Sequence, residues 1–306
     1  MFIGIKLHQK VSILFQTQRN FFLLKKLSFM NHLINNIKKK LKSNPKNFLT
    51  YIELADLYFK NNEINSAKDI YLKSLEIKLT KENLLGLSNC YMSLKEFSSA
   101  INCLDKIIKN EWADDFVYNS FGVALRELGK YVSALEKFDL GLKKNSNNHL
   151  IYYNKANLFL EISDFDKSKL NFEKCLKIKS DFFPALVNLA TLYLKIENTD
   201  EALKNLFKAE RIVPGDKLVL ENIARVLLLQ KKYKNSELYF KKLISIDTES
   251  LNKIIPVIQG YTYVGDSLNY LESTKYYVKN LLKKPIAYKF NNLKTNKMRI
   301  GFVSPD

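Results

Sequence analysis

Small, large apolar and polar positions return along this chain with a period of 34 residues. Ala67, Ala100, Ala134, Ser168, Ala202 and Ser236 share one phase, separated once by 33 residues and thereafter by 34. With Phe48 as position 1, later units begin at Lys81, Asp115, His149, Phe183 and Lys217. Position 8 then reads Ala55, Ser88, Gly122, Ala156, Ala190 and Ala224. Small side chains at positions 8 and 20 are what two helices need where their backbones touch. Large knobs fill position 11 (Tyr58, Tyr91, Leu125, Phe159, Tyr193, Leu227) and position 24 (Tyr71, Leu104, Phe138, Phe172, Leu206, Phe240). Turn residues fall between them at Asn61-Asn62, Leu128-Gly129, Ser163-Asp164 and Asn198-Thr199, and Pro214-Gly215 ends the fifth unit. The pattern predicts an all-α solenoid of helical hairpins, each covering its apolar face by lying on its neighbours.

The pattern resembles the tetratricopeptide repeat. Phe121-Gly122, Gly129, Ala134 and Phe138 carry the resemblance in the third unit, and Leu189-Ala190, Tyr193, Ala202, Ala209 and Pro214 in the fifth. It covers Phe48 to about Thr248. Departures are Lys155 at an apolar position 7, and Trp112, Ser146, Ser180 and Thr248 in place of the terminal proline. From Leu251 to Leu282 a seventh unit keeps Tyr261 and Gly265 but places Ile258 and Tyr270 where small residues belong, so a degenerate closing hairpin is expected there. Met30 to Lys42, followed by Asn44-Pro45, reads as a helix covering the other end; atypical terminal units are usual in such stacks. The expected division is a basic amphipathic segment over 1–29, a capping helix and turn over 30–47, six repeats over 48–250, and the closing hairpin over 251–284. A basic linker over 285–297 and the start of a further domain over 298–306 complete it.

The formal charge is +18, but it lies at the ends. Residues 1–52 hold ten Lys or Arg and no acid, and residues 279–306 hold seven against Asp306 alone. The body keeps 32 basic against 30 acidic residues, a balance that argues against the clustered cations on which phosphate binding depends. Nucleic acid is therefore not an expected partner. Cys90, Cys103 and Cys175 have no CxxC spacing and fall within helices, which reads as packed thiols. With His8, His32 and His149 far from one another and from the cysteines, neither a metal site nor a nucleophile-base pair has visible constituents, and no cofactor is expected.

The apolar runs Val11 to Phe15 and Phe21 to Leu24 fall short of the roughly 20 residues that span a bilayer. Residues 1–29 read either as an organellar presequence or as an extension upstream of Met30, and a cytoplasmic location is expected. At the other end, Met298 to Val303 reads as a short buried strand and Ser304-Pro305-Asp306 as the loop leaving it. The repeats, the basic linker and Met-Arg-Ile-Gly-Phe-Val-Ser-Pro-Asp together resemble the O-linked N-acetylglucosamine transferase family, especially SPINDLY-like and bacterial members. That resemblance implies a strand opening a GT-B glycosyltransferase domain that uses a nucleotide sugar. The family's catalytic residues lie further on, so no catalytic residue is assigned and this chain alone is expected to be inactive.

Position 6, on the concave wall of such a fold, carries Asn154, Asn188 and Asn222 in three successive units. A carboxamide donates to and accepts from a peptide bond at once, so a column of them can hold an extended polypeptide by its backbone. The resemblance implies the same, an asparagine ladder lining the family's substrate-binding superhelix. Glu53, Gly86 and Ser120 depart from it, and three solvated asparagines are the alternative; the ladder is favoured because all three share one phase. The expected function is a solenoid that binds extended peptides, as the targeting region of a peptide glycosyltransferase or as a stand-alone scaffold.

Overall fold

The computed structural model describes residues 29–264 and 266–281. These fall into two compact units divided between Ala185 and Leu186. Among the described residues there are helices and no strands; the strand expected over 298–303 lies outside them, as do residues 1–28 and the linker.

In the first unit a helix over residues 29–43 (α1) buries Ile34 and precedes four hairpins. Their first helices are α2 (Phe48–Lys60), α4 (Lys81–Ser93), α6 (Asp115–Glu127) and α8 (His149–Glu161). Their second helices are α3 (Ile64–Ile77), α5 (Phe97–Lys109), α7 (Tyr131–Lys144) and α9 (Phe165–Ile178). The repeats start where polar side chains can cap: Asn47, Thr80, Asp114 and Asn148 each accept a backbone N–H of the helix they precede. Position 8 and position 20 meet at every crossing, and Ala55, Ala67, Ser88, Ala100, Ala134, Ala156 and Ser168 are all fully buried. At the fourth hairpin the contact is close enough for the Ser168 hydroxyl to donate to the Ala156 carbonyl at 2.9 Å. One apolar core runs from Ala55 to Phe159, with Tyr71, Leu104 and Phe138 of position 24 inside it. Lys155, at the apolar position 7, brings its ammonium to the Asp139 carboxylate on α7, which balances the charge that the repeat pattern disfavours there.

The division of units falls within α10 (Phe183–Lys195). The second unit continues with α11 (Thr199–Ile212), α12 (Lys217–Leu229) and α13 (Tyr233–Ile246). Here Ser236 donates to the Ala224 carbonyl at 2.7 Å, repeating the close crossing. A 3₁₀ helix (Thr248–Ile254), α14 (Ile255–Tyr263) and α15 (Ser267–Leu281) follow. Ile258 does not sit at a close crossing in this last hairpin. It packs in the core with Leu251, Ile254 and Val257, while Gly260 makes the tight approach: a Cβ there would lie 2.3 Å from Tyr233 Cε1. Tyr270, at the other nominally small position, stays partly exposed.

Each hairpin turns in the same way. Asn62, Lys95, Gly129, Ser163, Glu197 and Lys231 adopt φ between 57° and 71°, and the next residue's N–H returns to the carbonyl of position 11. Tyr58, Tyr91, Leu125, Phe159, Tyr193 and Leu227 accept these bonds at 2.8 to 2.9 Å. This is a Schellman closure with a left-handed residue at C′, repeated once per unit. In the fifth unit the turn comes one residue earlier than the sequence suggests. Asn198 is drawn into capping α11 through the Glu201 N–H, and Glu197 takes the left-handed position.

Candidate peptide-binding face

In the first unit the first helices of successive hairpins form one face, on which a helix presents positions 5, 6, 9 and 12 together. Between α2, α4 and α6 this face opens into a cleft of about 230 Å³ lined by Phe59, Asn89, Met92, Ser93, Asn119 and Ser120, with Val123 beside them. Phe59 and Met92 supply apolar surface, and Asn89, Ser93, Asn119 and Ser120 supply hydrogen-bonding groups. One stripe thus carries both of the things an extended polypeptide offers, side chains and peptide bonds.

Asn154, on α8, is half-buried and donates its Nδ2 to Asn119 Oδ1 on α6 at 2.8 Å. The pair leaves the Asn119 amino group as a donor and the Asn154 carbonyl as an acceptor, one helix apart. In the second unit Asn188 is half-buried on α10 and has a partner of its own. Asn222, on α12, is only 9% exposed. Leu220 and Ala224 on either side of it join the cluster of Leu251, Ile254 and Val257, so the three asparagines expected to be exposed alike are not equivalent.

Tyr71 explains why position 6 of the second repeat carries glycine. Its buried ring fills the space over position 6 of the next repeat, and a Cβ on Gly86 would lie 2.2 Å from its Cζ. Any side chain at residue 86 collides with that ring, whose hydroxyl is in turn fixed by the Asp56 carboxylate. Asn119, Asn89 and Met92 were missed by a search confined to position 6. Positions 5, 9 and 12 lie within a turn or two on the same helix face, and their helical spacing was the available signal.

No group of three or more His, Cys, Asp or Glu side chains among the described residues could hold a metal ion. Cys90, Cys103 and Cys175 are buried free thiols, pushed by burial up to about 11, 11 and 12 respectively. His149 is held below its usual value by burial and by Lys179, and its ring stands edge-on to Phe182 at 5.0 Å. Among the described residues no helix is long and apolar enough to cross a membrane.

Residues 49–80, 150–182 and 219–250 match the tetratricopeptide repeat family model, and they coincide with the first, fourth and sixth hairpins. These are tetratricopeptide repeats. The tetratricopeptide array suits protein–protein interaction, and solved structures share its fold. One is the APC/C hetero-tetramer Cut9-Hcn1, with a TM-score of 0.61 and 17% identity over 74% of this chain; the match spans 46% of that chain, about half its length. A second is the C-terminal part of a repeat-containing protein from Cytophaga hutchinsonii, with a TM-score of 0.59 and 18% identity over 78% of this chain and 96% of that one. A third, a tetratricopeptide repeat protein from Parabacteroides merdae, has a TM-score of 0.59 and 17% identity over 75% of this chain and 92% of that one. At such identities the likeness is one of fold. No curated protein sequence matches the chain. The comparisons add nothing to the glycosyltransferase resemblance of residues 298–306.

Proposed function

We propose that the first-helix face binds extended polypeptide, chiefly through its backbone. The observation that carries this reading is the Asn119–Asn154 pair, which sets an amide donor and an amide acceptor side by side, with Asn119 itself lining the cleft that holds Phe59 and Met92. A peptide unit needs that combination, and it would be met without reading the side chains of the bound segment. In the second unit position 6 carries Asn188, which is half-buried, and Asn222, which is buried. The test is anisotropy of labelled unstructured peptides on the Asn119→Ala/Asn154→Ala variant. At about 1 kcal/mol per hydrogen bond, affinity should fall roughly thirtyfold and similarly for unrelated sequences. An unchanged affinity removes the proposal.

In the finer reading, this face delivers polypeptide to a nucleotide-sugar glycosyltransferase domain that begins at Met298; the support is the resemblance of Met298–Asp306. The coding sequence beyond Asp306 tests it, further βα units supporting the reading and unrelated sequence opposing it. The reducing cytoplasm is the proposed compartment, in keeping with three buried, unpaired thiols.

A further inference from the structure

The even charge of the repeats conceals a segregation by helix and by phase. On the second helices, positions 26 and 29 lie one turn apart on one face. In the first unit they carry Lys73 on α3, Lys106 and Lys109 on α5, Lys143 on α7, and Lys174 and Lys177 on α9. In the second unit they carry Lys208 and Arg211 on α11 and Lys242 on α13. All nine are exposed, and Glu76 is the one acid at these two positions. Among the described residues only Lys242 of the nine has an ion-pair partner, Glu210 at 3.5 Å. A charge count along the chain misses this because the compensating acids lie elsewhere on the helices.

A hollow accompanies these cations in each unit. In the first, a space of about 530 Å³ has Lys174 and Lys177 at its rim and Tyr152 and Ile178 as apolar floor. In the second, a space of about 380 Å³ has Lys208 and Arg211 at its rim and Leu203 and Phe207 as floor. The two share the cations of positions 26 and 29, while their apolar residues come from different positions, 4 and 30 in the first and 21 and 25 in the second. An apolar floor calls for an apolar side chain, and unpaired cations around it call for carboxylates beside that side chain.

We propose that the second-helix face of each unit is a docking surface for an acidic polypeptide segment, in which an apolar residue enters that unit's hollow and flanking Asp or Glu side chains meet its cations at positions 26 and 29. A nucleic acid fits less well. Lys174 Nζ sits 5.7 Å over the Tyr152 ring and Tyr239 packs against Phe207 at 6.2 Å, so neither ring offers a free platform for a base. Asp200 stands in the wall of the second hollow, and Asp105, Asp139 and Glu173 occupy the neighbouring position 25. An evenly charged phosphate backbone would meet those carboxylates, whereas a peptide can place its charges between them. This surface is separate from the first-helix face and does not depend on it.

The experiment uses the full chain and a labelled synthetic peptide in which Asp and Glu alternate with Leu and Phe. Replacing Lys174, Lys177, Lys208 and Arg211 together by Gln should weaken binding at least about tenfold, since four exposed charge contacts are lost. The thermal midpoint should stay in place, because solvated surface substitutions change stability little. Measured in the Asn119→Ala/Asn154→Ala background, where the first-helix face is impaired, the same four substitutions should weaken binding of this peptide by the same factor, which separates the two faces. Arg in place of the three lysines should retain binding. Full affinity in the four-fold Gln variant would assign the peptide to the basic termini and overturn the proposal. So would equal binding of a peptide with Ser in place of Leu and Phe, and so would single-stranded RNA that outcompetes the peptide and loses affinity on the same four substitutions.

Discussion

Gly122 on α6 lies so close to Phe138 on α7 that a Cβ at residue 122 would fall 2.4 Å from the Phe138 Cε1. Phe138 is fully buried in the core and cannot swing into solvent. Gly122→Ala should therefore destabilise the array by about 1–3 kcal/mol, an overpacking cost that outweighs the roughly 1 kcal/mol gained in helix propensity. Urea titration followed by circular dichroism reads it. An unchanged or higher midpoint would show that the third hairpin opens to accept the methyl group.

The left-handed turn residues give the opposite expectation. Lys95 and Lys231 adopt φ of 60° and 57° with a full side chain, whereas Gly129 does so at 71° without strain. Lys95→Gly and Lys231→Gly should each stabilise by up to about 1 kcal/mol, the relief of left-handed strain less the entropy that glycine adds to the unfolded chain. Gly129→Ala should cost a comparable amount. Loss of stability in the two glycine variants would mean that the lysines are held there by contacts worth more than the strain.

Acid should loosen the joint between the second and third hairpins. Burial alone would raise the pKa of Asp114, but the Lys81 ammonium and the Val117 N–H hold it below the usual carboxylate value. A carboxylate lowered in the folded state stabilises fully above its unfolded value of about 3.9 and loses that contribution as pH falls through its folded value. Asp114→Asn should flatten the acid limb of stability against pH while still capping α6. Coincident acid limbs for the two proteins would rule out this role.

The buried cysteines report on opening. Cys90 on α4, Cys103 on α5 and Cys175 on α9 are inaccessible, and burial keeps them as thiols at neutral pH. Alkylation by iodoacetamide should be slow for all three and should accelerate in denaturant along with the helical signal. Fast modification of any one in native buffer would place that helix outside the packed core.

What was legible in the sequence was whatever recurs in phase. Ala55 with Ala67, and Ala224 with Ser236, mark their crossings because a close backbone contact tolerates few residue types, wherever the repeat stands. Less legible was anything settled between different phases. Tyr71 empties position 6 of the next repeat, Asn119 reaches Asn154 from position 5 to position 6, and the lysines of positions 26 and 29 share a face that a charge count cannot see. The left-handed residue of the turn was legible at Gly129 and hidden at Lys95, Glu197 and Lys231, where hydrogen-bond closure imposes a conformation that the residue type disfavours.

The match of Tyr71 to Gly86 gives the array a direction of inheritance. A gene that duplicates or shuffles whole periods keeps the hairpins but separates a bulky residue from the one neighbour shaped to receive it. Moving the segment that begins at Lys81 away from the one that ends with Leu79 and Thr80 would strand the tyrosine ring against a residue with a side chain. The first two periods should therefore travel together through recombination as a single heritable block, and so should the third with the fourth, where Gly141 receives Ile151, and the sixth with the closing hairpin, where Gly260 receives Tyr233.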